Sequence, residues 1–198
     1  MGMLRYRALA LAAVSLSVAA IGCGGGDDET QAGDVPSGAV AVIGDAEISE
    51  SALDHQTAVL VRAQRTANGT ALTAAQRKQI ASQALAQLLQ REALEQEAAE
   101  RGIEVSNADV RRDWQATARR QFKTKKAFRQ FLGGQTVAEI LAQLRLQDLS
   151  ERIAEQVSKQ AGGGKDGAKA VEKFQKNFQK RWQDKTSCSG DYAAPGCG

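Results

Sequence analysis

The stretch ALAQLLQREALEQEAAERGIEVSNADV, residues 84–110, reads as the body of a long amphipathic helix, a stop, and the opening of another helix. Leu85, Leu88, Leu89 and Leu94 recur on one side, and Ile80 extends that side toward the N-terminus. A helix opening at Thr73 and running to about Arg101 is therefore expected, with Gly102 as its stop signal. Ile103 and Val105 then dip into the core, and Ser106 with Asp109 three residues later has the form of a capping box.

Downstream, a third helix carries Val110, Trp114, Ala118 and Phe122 at spacings of four. Its other faces hold Arg111, Arg112, Arg119, Arg120, Lys123, Lys125 and Lys126. This basic cluster is expected to be a solvated face partly neutralised by Glu92, Glu95, Glu97 and Glu100 of the long helix. The competing reading is attraction to anionic lipid headgroups or acidic clients. Residues 126–132 form a short helical turn presenting Phe128, Phe131 and Leu132, ended by Gly133 and Gly134. Thr136 with Glu139 caps a fourth helix, whose Ile140, Leu141, Leu144, Leu149, Ile153 and Val157 continue to about Lys159. Gly162, Gly163, Gly164 and Gly167 mark residues 161–167 as a linker. Beyond it, Val171, Phe174, Phe178 and Trp182 give residues 168–198 one narrow aromatic stripe, which must pack back on the body.

Upstream, Ala39–Ile43 reads as a short strand, Gly44 and Asp45 as a turn, and Glu47 and Ile48 as a further extended piece. Ser49 or Ser51 then caps a first helix reaching about Thr66, broken by Asn68 and Gly69. His55 lies on this helix as an ordinary surface residue. Residues 23–38 are rich in Gly and Asp with little apolar content and are expected to be a flexible tether. Before them, Arg5 and Arg7 precede an apolar run from Ala8 to Ile21, the length of a signal-peptide core and too short for a stable membrane span. Ala20, Ile21 and Gly22 before Cys23 resemble a bacterial lipobox, with alanine where leucine is usual. Residues 1–22 are thus read as a lipoprotein signal peptide and Cys23 as the acylated first residue of the mature chain. An ordinary secretory signal cleaved nearby is the alternative, and both place the protein outside the cytoplasm.

The chain has 198 residues and a formal charge of +3, which falls to +1 without residues 1–22, so its basic balance is no argument for nucleic-acid binding. Scarce aromatics and prolines beside abundant Ala, Gln, Leu, Arg and Glu favour helices. With Cys23 acylated, Cys188 and Cys197 form an even pair, expected to be disulfide-bonded in an oxidising compartment. No metal site is expected, because the cysteines lack CxxC spacing and His55 is the only histidine. Gly24–Gly26 and Gly162–Gly164 lack the strand and Walker pattern of a phosphate loop. No serine or threonine sits in a nucleophile motif, and no cofactor is expected.

Together, "VAVIGDAEIS", the long-helix stretch, "KKAFRQFLGGQTVAEILAQLRLQDLSERI" and the C-terminal aromatic helix resemble the N-terminal chaperone domain of the SurA and PrsA families of extracytoplasmic foldases, over most of residues 39–185. Gly44-Asp45 stands where relatives have Asn-Gly. The resemblance implies a mainly α fold: a helical chaperone domain over residues 39–160, with a short N-terminal strand and a returning C-terminal helix. Relatives carry parvulin prolyl isomerase domains between the fourth helix and the returning one, where this chain has only the glycine linker. A parvulin site also uses paired histidines, so the expectation is a chaperone without catalysis, residual prolyl isomerase activity being the weaker alternative. The implied partners are unfolded or secreted polypeptides, with the membrane reached through the N-terminal lipid on the extracytoplasmic face of a bacterial cell. Trp114, Phe122, Phe128 and Phe131 are the candidate binding residues, unless they form the domain's own core. The alternative function is a cell-envelope scaffold or accessory subunit binding one defined partner.

Overall fold

Strand β1 (Ala39–Ile43) buries Val40, Ala41 and Ile43 and pairs antiparallel with β2 (Ala46–Ser49). These features belong to a computed structural model, which describes residues 35–69, 71–133 and 135–197. The signal-peptide segment 1–22, Cys23 and most of the tether lie outside the described residues. The hairpin turn needs a positive φ at Gly44, which glycine adopts without strain. Gln96 clamps it from the long helix: its Nε2 donates to the Ile43 carbonyl at 2.8 Å and its Oε1 accepts from the Asp45 N–H at 3.4 Å.

Helix α1 (Glu50–Asn68) starts at Ser49, whose hydroxyl accepts from the Ala52 N–H, and stops at Gly69 in the left-handed region. Helix α2 (Ala74–Glu100) opens with a full capping box between Thr73 and Gln76 and packs along α1. α3 (Asn107–Gln121) follows the tight turn at Gly102. Its Ser106 cap is only half of the expected box. The Asp109 carboxylate accepts from the Ser106 hydroxyl at 2.7 Å and makes no bond to the Ser106 backbone N–H; its side chain is one methylene shorter than the usual glutamate. The short α4 (Lys125–Leu132) is capped by Thr124 and ended by Gly133 at positive φ. α5 (Val137–Gln160) has the expected Thr136–Glu139 capping box.

The glycine segment is shorter as a connection than its composition indicates. Only residues 161–163 separate α5 from α6 (Gly164–Gln183), and Gly167 is a buried helix residue packed on Ser158 of α5. A glycine inside a helix trades propensity for close approach of two backbones, and close approach is what α5 and α6 make here. After α6, β3 (Thr186–Cys188) adds to the sheet beside β1, giving the order β2-β1-β3. Cys188 and Cys197 form a disulfide with a Cα–Cα distance of 5.5 Å.

Two apolar clusters share α2 as their spine. One joins the sheet to α1, the middle of α2 and Trp182, with Leu53, Leu85, Leu88 and Leu89 at its centre. The other gathers Ala98, Val105, Val110, Leu149 and Ile153 between the end of α2, α3 and α5, with Phe174 of α6 against it. The α6 stripe thus serves both: Phe174 faces the second cluster, while Phe178 and Trp182 face the first. The fold is mainly α, as the composition and periodicity indicate.

Candidate functional site

Trp114, Phe122, Phe128 and Phe131 belong to neither apolar cluster. They stack on one another where α3 ends and α4 folds over it, with ring centroids 4.7 Å apart for Phe122–Phe131, 5.5 Å for Phe122–Phe128 and 5.7 Å for Trp114–Phe131. Phe122 cannot continue the helical stripe because it is the C-cap of α3, with extended backbone, and this turns its ring toward α4. Trp114 is buried, Phe122 and Phe128 are half-buried, and Phe131 is 48% exposed. No residue of α4 is fully buried, so the short helix is held by these rings and its caps.

Between α3, α4 and the start of α5 lies an open groove of about 500 Å³. Its apolar wall is Trp114, Ala118, Phe128, Val137, Ala138 and Leu141, with Gln115 beside them and Arg111 and Arg119 at its edge. Val137, at 37% exposure, joins Phe131 as an exposed large apolar side chain. A second hollow of similar volume continues from it toward α2, sharing Arg111, Ala138 and Leu141. Here the charges are paired: Arg91 with Glu92 at 3.1 Å, and Arg145 of α5 with Glu95 at 2.9 Å. The α5 wall is fixed at its start by Glu139, which closes the capping box and takes an ion pair from Arg62 of α1 at 2.6 Å. Burial pushes the Glu139 carboxyl up, but the Thr136 N–H and the Arg62 guanidinium outweigh it and hold it below the usual glutamate value.

The expected neutralisation of the α3 cations by α2 does not occur. Glu97 and Glu100 turn toward Arg181 and Lys185 at the end of α6, Glu97 also holds Arg101, and Glu95 faces Arg145. The helix register explains this, because α3 packs on α5 and leaves the acidic face of α2 to α5 and α6. Arg112 pairs with Asp109 and Asp113. Among the described residues, Arg111, Arg119, Arg120, Lys123, Lys125, Lys126 and Arg129 make no ion pair.

A family model described as the SurA-like N-terminal domain matches residues 5–139. The chain belongs to the SurA-like N-terminal domain family. No curated protein and no solved structure matches it. Membership of the SurA-like family carries a chaperone-like role and the binding of polypeptide substrates. The match spans β1 through α4 and the first residues of α5, so nearly all of the groove falls within it, Leu141 lying just beyond.

Of the four aromatic candidates, Trp114 and Phe128 line the groove, while Phe122 and Phe131 support it from behind and beside. The α5 contribution, Val137 and Ala138, is not among the residues singled out from sequence. Its signal is there in retrospect: Val137, Leu141 and Leu144 recur at spacings of four and three and carry the apolar stripe of α5 into its first turn. His55 is exposed on α1, remote in sequence from every groove residue. Among the described residues no group of three or more His, Cys, Asp or Glu side chains is placed to hold a metal ion, and no helix is long and apolar enough to cross a membrane.

Proposed function

We propose that this SurA-like chain is a membrane-anchored extracytoplasmic holdase, binding unfolded or newly secreted polypeptides in the groove between α3, α4 and α5 without prolyl isomerase catalysis. The observation that carries this reading is an aromatic cluster that belongs to neither core and whose Trp114 and Phe128 line an open, apolar groove. A client segment burying roughly 200 Å² of apolar surface there gains about 5 kcal/mol before its ordering entropy is subtracted. The net affinity is weak and the contacts are non-directional, as a protein that must release many different chains requires. The connection of only residues 161–163 between α5 and α6 supports the non-catalytic part of the reading. For anchoring, the support is Cys23 with the basic and apolar segment before it.

The test is suppression of aggregation of several unrelated denatured proteins by the full chain, compared with Phe131→Ser and Val137→Ser variants, whose exposed positions spare the core. Broad suppression, weakened in both variants, supports the holdase. No suppression by the native chain, together with one co-purifying partner, favours a scaffold. Incorporation of a labelled fatty acid that disappears in Cys23→Ser tests the anchor separately.

A further inference from the structure

From Trp114 to Ala138 the chain has no carboxylate at all, while Arg119, Arg120, Lys123, Lys125, Lys126 and Arg129 all fall within it. The fold keeps this imbalance local. In the hollow nearer α2 each guanidinium except Arg111 has a glutamate partner, whereas the aromatic-lined groove holds Arg111 and Arg119 unpaired and has no acidic residue in its wall. The apolar surface and the unpaired charge are thus contiguous.

Resting on the groove reading above, we infer that this groove selects client segments in which carboxylates flank an aromatic or aliphatic residue, Arg111 and Arg119 taking the carboxylates while Trp114, Phe128 and Val137 take the apolar side chain. The carboxylate oxygens accept hydrogen bonds from guanidiniums that otherwise face water, which is a geometry arginine satisfies better than lysine. An apolar segment flanked by lysines meets the same groove with like charges opposed, so the charge both attracts one class and rejects another. The remaining cations, on α4 and the end of α3, raise the local concentration of acidic segments without contacting them closely.

The experiment is fluorescence-anisotropy titration of the full chain with three labelled peptides. They share one length and one Phe-Leu centre and differ only in flanking Glu, Gln or Lys. The Glu-flanked peptide is expected to bind about five- to tenfold more tightly than the Gln-flanked one, two partly exposed charge pairs being worth about that factor, and the Lys-flanked peptide most weakly. Raising the salt from about 0.05 M to about 0.5 M should remove most of the difference. Arg111→Gln with Arg119→Gln should equalise the Glu and Gln peptides, and a far-UV circular dichroism spectrum and thermal midpoint matching the native chain show that the variant is folded. Equal binding of Glu and Gln peptides to the native chain overturns the inference and leaves the groove reading standing. Binding of none of the three overturns both. A Glu preference that survives in the double variant, or an absence of peptide preference together with Arg111- and Arg119-dependent gathering on phosphatidylglycerol vesicles but not on phosphatidylcholine vesicles, overturns it as well.

Discussion

Glu97 ties the end of α2 to the end of α6. It is 1% exposed, carries ion pairs to Arg101 and Arg181, and accepts from the Trp182 indole N–H at 3.2 Å. A carboxylate is tolerated there only because each oxygen has a donor. Glu97→Gln keeps an acceptor for Trp182 but leaves Arg101 without its counter-charge and Arg181 with only the longer pair to Glu100 at 3.5 Å. It should lower stability by about 2–3 kcal/mol in urea unfolding, less than for a fully buried pair because both arginines reach water. A change within about 0.5 kcal/mol would mean that the ion pairs contribute little. From sequence, Glu97 looks like one of four surface carboxylates. The spacing says otherwise, since Leu85, Leu89, Ala93 and Glu97 follow each other four apart on the buried face. What no local pattern shows is that a Trp and an Arg 85 and 84 residues later supply the donors.

Other carboxylates contribute to the response to acid, among them Glu155, which Lys159 holds below its ordinary value. The Ser106 hydroxyl and the Arg112 guanidinium hold Asp109 below its ordinary value, and Glu139 is lowered as described above, against its burial. A carboxyl depressed in the folded state stabilises the fold above its ordinary value, and loses that contribution as the pH falls through the folded one. Asp148 acts in the opposite sense: burial raises it, Arg152 counters, and Glu151 and Asp113 add to the rise, so its ionised form is disfavoured in the fold. Stability should therefore decline as the pH drops below about 4, and Asp109→Asn or Glu139→Gln should flatten that decline. Thermal unfolding followed across this range checks it; an unchanged acid slope in both variants would contradict the assignment.

At the scale of the element, α6 shows how composition misleads. Gly162, Gly163 and Gly164 all have positive φ and make the reversal, but Gly167 is helical and buried. A methyl group there would lie 2.3 Å from Ser158 Oγ and 3.0 Å from the Ser158 carbonyl, so Gly167→Ala must push α6 from α5. We expect a loss of about 1–3 kcal/mol despite alanine's better helix propensity, partly recovered by adding Ser158→Ala. Denaturant midpoints of the single and double variants measure this, and a stabilised Gly167→Ala would show that the helices can part freely. The aromatic stripe of α6 was legible because its period is local. Where α6 begins was not, because glycine signals a bend and a close contact alike.

For the whole molecule, the chain's return is the organising fact. α6 and β3 bring residues 164–188 back to α2, α5 and β1, so the hairpin that opens the domain is completed by the strand that nearly ends it. The long helix, the hairpin and the caps are readable from periodicity and capping chemistry, since neighbouring residues carry them. The groove is not, because its walls come from α3, α4 and α5 and its charge depends on where α2 directs its glutamates. The central claim is that unfolded polypeptide lies in that groove. Photo-cross-linking tests it most directly, with a photoreactive side chain placed in turn at position 131, 137 or 55 of the full chain and a denatured client added. Cross-links from positions 131 and 137 but not from 55, on the exposed face of α1, are expected. Equal yields from all three positions, or cross-links from 55 alone, would contradict it.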